Sequence, residues 1–492
     1  MSRRFSIRLG RFLRRRVLRQ DVAVRDSDKS RRDLLDEIYL LRDVAGDRLQ
    51  KITAMQARID DLRRELKLTY RAPSRSERAM RAAEPDSAPD EVRDARPRLY
   101  VDVSELAHKA GQTGIQRLVR ETLRALLANP PDGFQVEAVR AMPGEPYRHA
   151  RAFARELGVA EIAEGDDSPV DARAGDVFLG LDHSMYAVIA NAGQLAAMRE
   201  RGVRLWFVCN DVLPLTNPEW FPPEVHVAFK AWLETIARVA DGVACISRTT
   251  EAELRRQLDA LPISRQRMPL LGHFRLGGDI ATNNGAGAAI GPGEATMLER
   301  LYELPSFLMV GTLEPRKGHA QALEAFEQLW AQGENVALVV VGLPGWMTDV
   351  LQRRIRHHDE LGKRLFWFMQ ASDALVEKLY ATCTVLLASS QGEGFGLPLV
   401  EAARHGLPVL ARDMPIFREV AGTHATYFSG LDAASLASAV REWLAAQQRG
   451  DTPAVAGMPA VTWSESAAQL VHLMLDSAEP ARIRPTQGAE QP

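Results

Sequence analysis

The chain has 492 residues, 46% hydrophobic and 26% charged, with a formal net charge of -2. That length is more than one hydrophobic core serves, so two or three domains are expected, and the composition excludes collagen-like, disulfide-dense and wholly disordered classes. The small net charge hides a split: residues 1–20 hold eight arginines and no acid, which leaves the remainder acidic and argues against a chain-wide nucleic-acid binder.

Cys209, Cys245 and Cys383 stand apart in apolar runs. Without a CxxC or a Cys/His cluster there is no zinc or disulfide framework, and a reducing cytoplasm is the expected location. No apolar run reaches the roughly 18 residues of a membrane span. The basic start also lacks the apolar core of a secretory signal.

Residues 1–30 read as a basic arm, with Phe5, Leu9, Phe12 and Leu13 near one helical face. Such an arm can lie on the anionic inner face of a membrane; a disordered basic tail and a transit-like or RNA-touching segment are the alternatives. Residues 31–70 carry heptads: Ile38, Ala45, Ile52, Ile59 and Leu66 recur every seven residues, with Leu34, Leu41, Met55 and Leu62 at the complementary spacing. The expectation is a coiled coil joining a second copy or a partner helix; the alternative is one helix folded back on the body. Residues 71–97, rich in Pro, Ala, Ser and charge, read as a linker.

From 98 to 275 strands and helices alternate, which predicts an α/β lobe. Leu99–Val103 is a first strand, followed by GQTGIQRLVRETLRAL, where Gly111 and Gly114 make a loop, Thr113 caps, and Ile115, Leu118, Val119, Leu123 and Leu126 form an apolar face. Further strands are expected at 176–181, 204–208 and 242–246. Asp211 falls just past the 204–208 strand, where open α/β sheets bind ligands, or else it caps the next loop. Asp182 and His183 follow another strand and are weaker candidates. Ser247–Leu258 reads as a capped helix, with Thr250 and Glu253 at capping-box spacing. Residues 276–300 hold a glycine-rich run that reads as a flexible connector.

Residues 301–478 predict a second α/β lobe and 479–492 a disordered tail. Strands are expected at 305–311, 336–342 and 365–369, the first leading into TLEPRKG. Arg316 and Lys317 open a helix there, against the preference of the dipole for acids. An apolar strand, Val385–Leu387, then runs into SSQGEGFGLPLVEA. Gly392, Gly394 and Gly396 let backbone approach a ligand, Pro398 suits a first helical turn, and the free amides of the helix start make an anion site. Glu393 and Glu401 flank it. Two carboxylates beside an anion site suit a ligand that brings hydroxyls as well as phosphate.

The run GEGFGLPLVEA resembles the Glu-x7-Glu signature of retaining GT-B glycosyltransferases, specifically glycosyltransferase family 4, and EPRKG is similar to a second pattern of that family. The resemblance covers about 99–475 and is strongest at 307–331 and 385–420. It implies two Rossmann-like, doubly wound lobes facing across a cleft, behind an N-terminal helical extension. It implies Glu401 as the nucleotide ribose ligand, Glu393 as the carboxylate beside the donor sugar, and backbone amides at Gly394, Phe395, Gly396 and Leu397 around the diphosphate. Arg316 and Lys317 would neutralise that diphosphate, and Thr312 stands where many relatives place a further arginine. The Gly114 loop would reach toward phosphate and acceptor, Arg117 is a candidate phosphate contact, and Asp211 would touch donor sugar or acceptor. Phe368, Met369 and Gln370 are weak candidates for the base.

The segment from Asp102 through TGIQR is similar to a subgroup many of whose members build polysaccharides, which favours GDP-mannose as donor. The expected activity is hexosyl transfer to a glycan or lipid-linked acceptor. The Asp-x-Asp pair of metal-dependent transferases occurs only at Asp26 and Asp28, so neither metal nor other cofactor is expected. A non-catalytic nucleotide-sugar scaffold and an epimerase on the same fold are the rival readings.

Overall fold

The computed structural model describes residues 96–476, apart from 109–112, 144, 159–164, 166, 262–267 and 280–291. All described residues belong to one compact unit, Asp94–Pro492. The basic arm, the heptads, most of the linker, Gly111 and the tail lie outside the described residues.

Two sheets form the body. The first contains β1 (Arg98–Asp102), β2 (Gln135–Arg140), β3 (Arg148–His149), β4 (Val177–Gly180), β5 (Arg204–Cys209), β6 (Gly242–Cys245) and β7 (Leu270–His273), in the order β3-β2-β1-β4-β5-β6-β7. All neighbours are parallel except β2 and β3. The second contains β8 (Ser306–Val310), β9 (Ala337–Val341), β10 (Leu365–Phe368), β11 (Val385–Ala388), β12 (Val409–Arg412) and β13 (Thr426–Phe428), all parallel, in the order β10-β9-β8-β11-β12-β13. Strands such as VFLG and ALVVV are buried at every position, as parallel strands covered by helices on both faces must be.

In each sheet the strand order reverses once, at β1/β4 and at β8/β11. Loops leaving the carboxyl ends of strands at such a reversal diverge and open a crevice. The helices that position side chains there are α1 (Gly114–Ala128), α2 (Leu213–Thr216), α3 (Arg248–Asp259), α4 (Pro292–Tyr302), α5 (His319–Ala331), α6 (Asp373–Thr382), α7 (Leu397–Arg404) and α8 (Trp463–Asp476).

Thr113 caps α1 in a full capping box with Gln116. Four residues of the expected face of α1 are buried, whereas Ile115 is 38% exposed. At α3 the expectation needs correcting: Ser247, not Thr250, is the cap, its hydroxyl accepting from the Thr250 amide at 3.0 Å. The last nine residues of the segment read as a flexible connector, 292–300, are helical and open α4.

The final helix lies against the first lobe. Gln469 accepts from the Arg275 amide at 3.0 Å, Arg204 donates to the Met474 carbonyl at 3.2 Å, and Trp463 donates to the Asp279 carbonyl at 2.9 Å. One apolar cluster therefore runs from Leu118, Trp206 and Phe274 through Trp463 and Leu470 to Phe366 and Phe417. Each fully buried side chain of this size contributes about 1.5–3 kcal/mol, so a shared core ties the lobes together.

Candidate active site

A cleft with about 230 Å³ of open space lies between the two sets of carboxyl-end loops. Gly114, Asp211, Thr312, Arg316, Lys317, Glu393, Gly394, Phe395, Gly396, Leu397 and Glu401 all line it. Residues nearly 300 positions apart in the chain thus face one space. His183 does not line it: its ring packs 5.8 Å from Phe229 and 6.0 Å from Trp232. Asp182 accepts the amides of Leu106 and His183 at 2.7 and 2.8 Å, a structural use of its carboxylate. Of the three weak base candidates only Met369 borders the cleft; Phe368 is buried and Gln370 points to solvent.

The glycine loop has a different reason for its glycines than ligand approach alone. A Cβ on Gly392 would lie 2.5 Å from the Trp220 ring, and one on Gly394 would lie 1.8 Å from the Asn210 carbonyl oxygen. Both positions must lack a side chain because the first lobe packs against them. Ser247 also donates to the Gly394 carbonyl at 2.8 Å, so the cap of α3 holds the loop of the other lobe. Gly396 takes the left-handed conformation, φ 96°, immediately before α7. On the same rim Trp346 donates to the Trp220 carbonyl at 2.9 Å, a further bond across the lobes.

Glu393 accepts from Lys317 Nζ at 2.6 Å, Arg316 Nη1 at 3.0 Å and Ser390 Oγ at 2.7 Å. Burial would raise its pKa, but the charges of Lys317 and Arg316 and the hydrogen bonds outweigh burial and bring it down to about 2. It is therefore ionised at neutral pH. Arg316 also meets Glu314 at 2.9 Å; burial raises the Glu314 carboxyl above its usual range despite the two neighbouring cations.

Glu401 is 4% exposed and has both oxygens engaged. Tyr380 donates to Oε2 at 2.6 Å, and Arg117, from the first lobe, donates to Oε1 at 2.5 Å. Arg117 extends its second nitrogen to Asp373 at 3.0 Å. Asp211 lines the cleft and accepts the Leu213 amide at 3.0 Å, just before α2.

Several residues of the site have no local signature. Asn210 is 6% exposed and borders the cleft, with neither end of its side-chain amide hydrogen-bonded within the protein. Such an amide suits a sugar hydroxyl, which both donates and accepts. Tyr380 and Asp373 reach the site from α6. Buried Arg412, at the end of β12, donates to the carbonyls of Ser389 and Ser390 at 3.1 and 3.0 Å and so braces the loop that carries Glu393. Burial lowers its pKa. Its position after an apolar strand was the one available hint. Among the described residues no three His, Cys, Asp or Glu side chains gather as metal ligands do. No helix among them is long and apolar enough to cross a membrane.

Residues 301–454 match the family described as glycosyl transferases group 1. Over 372 residues, 75% of this chain and 45% of the relative, the sequence is 39% identical to the serotype-specific mannosyltransferase WbdA of Escherichia coli. The chain thus spans about half the length of these curated relatives. Sucrose-phosphate synthase from Thermosynechococcus elongatus superposes with a TM-score of 0.53 at 18% identity, covering 77% of this chain and 98% of that one. The Anabaena protein HepE in complex with UDP-glucose does so with a TM-score of 0.50 at 14% identity, covering 77% and 95%. The second lobe thus matches the glycosyl transferases group 1 model over residues 301–454, and the two lobes together have the GT-B fold.

Proposed function

We propose that this chain transfers a hexose, with retention of configuration, from a nucleotide-diphosphate sugar to a glycan or glycolipid acceptor in surface-polysaccharide assembly, and that the donor is GDP-mannose. The observation that carries the reading is the ionised Glu393 held by Lys317 and Arg316 in the loop before α7, where the lobe that matches the group 1 model borders the cleft. The mannosyltransferase relatives support mannose and a polysaccharide product.

In this reading Arg316, Lys317 and the amides from Gly394 to Leu397 receive the diphosphate, whose charge grows as the sugar–oxygen bond breaks. The acceptor hydroxyl forms the new bond to the anomeric carbon and passes its proton to a phosphate oxygen of the leaving diphosphate. Glu393 stabilises the positive charge developing on the sugar, Asn210 and Asp211 take sugar or acceptor hydroxyls, and Glu401 takes the ribose. No metal is required. The basic segment 1–20 would hold the enzyme at an anionic membrane surface, and the heptads would pair with a second copy or a partner helix; vesicle flotation and sedimentation of the full chain test both.

A thermal-shift screen of the full chain against GDP, UDP, ADP and dTDP and their sugars, with and without EDTA, tests the donor site. A ligand at about 100 times its Kd stabilises the folded state by about 2.7 kcal/mol. The expected result is a shift with GDP and GDP-mannose that EDTA leaves unchanged and Lys317→Ala abolishes. No shift with any nucleotide would overturn the reading.

A further inference from the structure

The cleft is short of positive charge for the ligand proposed above. Its lining has three cations, Arg117, Arg316 and Lys317, against five carboxylates, Asp211, Glu314, Asp373, Glu393 and Glu401, a net of minus two when all are ionised. A nucleoside diphosphate adds more negative charge, and each cation already has an acidic partner: Lys317 has Glu393, Arg316 has Glu393 and Glu314, and Arg117 has Glu401 and Asp373. Binding is therefore an exchange of partners.

The exchange is not equally costly at each cation. Taking Lys317 and Arg316 wholly away would strand Glu393, whose side chain is 11% exposed, on a single serine; a buried carboxylate without partners is expensive. Arg117 is different on both sides. Asp373 is 48% exposed on its side chain, so water can solvate it once released. Glu401 keeps the Tyr380 hydroxyl, and ribose hydroxyls at Oε1 would replace the bonds that Arg117 now makes. The guanidinium so released belongs to the first turn of α1 and remains inside the same cleft.

Resting on the donor-site reading of the preceding section, we infer that Arg117 is the third diphosphate cation, supplied across the cleft by the first lobe. Ribose displaces Arg117 from Glu401, and the diphosphate receives it. The cross-lobe ion pair between Arg117 and Glu401 becomes a cross-lobe contact through the ligand, so the lobes stay bridged before and after the exchange.

Calorimetric titration of the full chain with inorganic pyrophosphate, guanosine and GDP separates the two halves of the exchange. Arg117→Met should bind pyrophosphate about tenfold more weakly, the size of one lost charged hydrogen bond, and guanosine more tightly, because the competitor for Glu401 is gone. Glu401→Gln should do the reverse: weaker guanosine, tighter pyrophosphate. If Arg117→Met moves both ligands in the same direction, Arg117 is a structural bridge only and the inference falls. Should that variant lose its fold by circular dichroism, Glu401→Gln carries the test, and unchanged or weakened pyrophosphate binding there overturns the inference. If guanosine and GDP bind no form of the protein, the donor-site reading fails separately, and the pyrophosphate titrations still decide for or against Arg117.

Discussion

Replacing Glu393 with glutamine keeps the shape of the side chain and removes its charge, which isolates what the ionised carboxylate contributes. Lys317 Nζ is 2.6 Å away and Arg316 Nη1 3.0 Å, and the carboxyl is held at a pKa of about 2 against an ordinary 4.5. At about 1.4 kcal/mol per pKa unit this depression corresponds to about 3 kcal/mol of stability, in line with the roughly 3–5 kcal/mol lost when a buried ion pair loses one partner. The folded-state pKa is below the unfolded one. The contribution is therefore complete above pH 4.5 and is lost as the pH falls through that value toward 2. Urea unfolding of the full chain, compared between wild type and Glu393→Gln over this range, should show a gap of about 3 kcal/mol at neutral pH, narrowing to about 1.4 kcal/mol near pH 3. The gap narrows because a protonated glutamate is nearly isosteric with glutamine. A gap under about 1 kcal/mol at neutral pH, or one that does not narrow in acid, would refute the claim that the two cations hold this carboxylate ionised.

Other sites give separate expectations. Gly394→Ala places a methyl where the Asn210 carbonyl now lies; it should cost about 2 kcal/mol or more and enlarge the radius of gyration in solution scattering, and an unchanged radius would mean the loop yields without parting the lobes. Arg412→Met removes the donors that hold the Ser389 and Ser390 carbonyls; amide hydrogen exchange across 389–396 should accelerate, and unchanged exchange would remove Arg412 from the support of the loop. Tyr380→Phe leaves one oxygen of the buried Glu401 short of a donor, and should destabilise by about 1–3 kcal/mol while weakening GDP binding. Asn210→Ala deletes the amide that has no partner in the protein; transfer should fall while GDP affinity stays within about twofold, and an equal fall in both would place Asn210 at the nucleotide instead of the sugar.

Within the cleft the acidic residues partner the cations that the proposed ligand would meet. Glu393 occupies the cations expected to meet a diphosphate, and Arg117 occupies the carboxylate expected to meet a ribose. The lobes are thus held together partly by polar bonds that substrate can replace, whereas the apolar cluster beneath α8 has no such competitor.

Alternation of apolar runs with capped amphipathic segments was enough to place both lobes, because parallel strands buried on two faces leave a continuous hydrophobic signal, as at ALVVV and VLLA. Short or polar strands left no such signal: QVEAVR carries a glutamate that is buried beside His149, and Thr426–Phe428 is three residues long. Local spacing likewise marked Glu393, Glu401, Arg316 and Lys317, since a glycine loop between strand and helix brackets a position on its own. It could not say that Gly392 and Gly394 are bare because Trp220 and the Asn210 carbonyl press on them, or that the Ser247 hydroxyl grips the loop from the other lobe. Nor could it pair Arg117 with Glu401, which are 284 residues apart. Such pairs are decided by how two separately legible lobes dock, and docking depends on surface shape and charge brought together only in the folded chain.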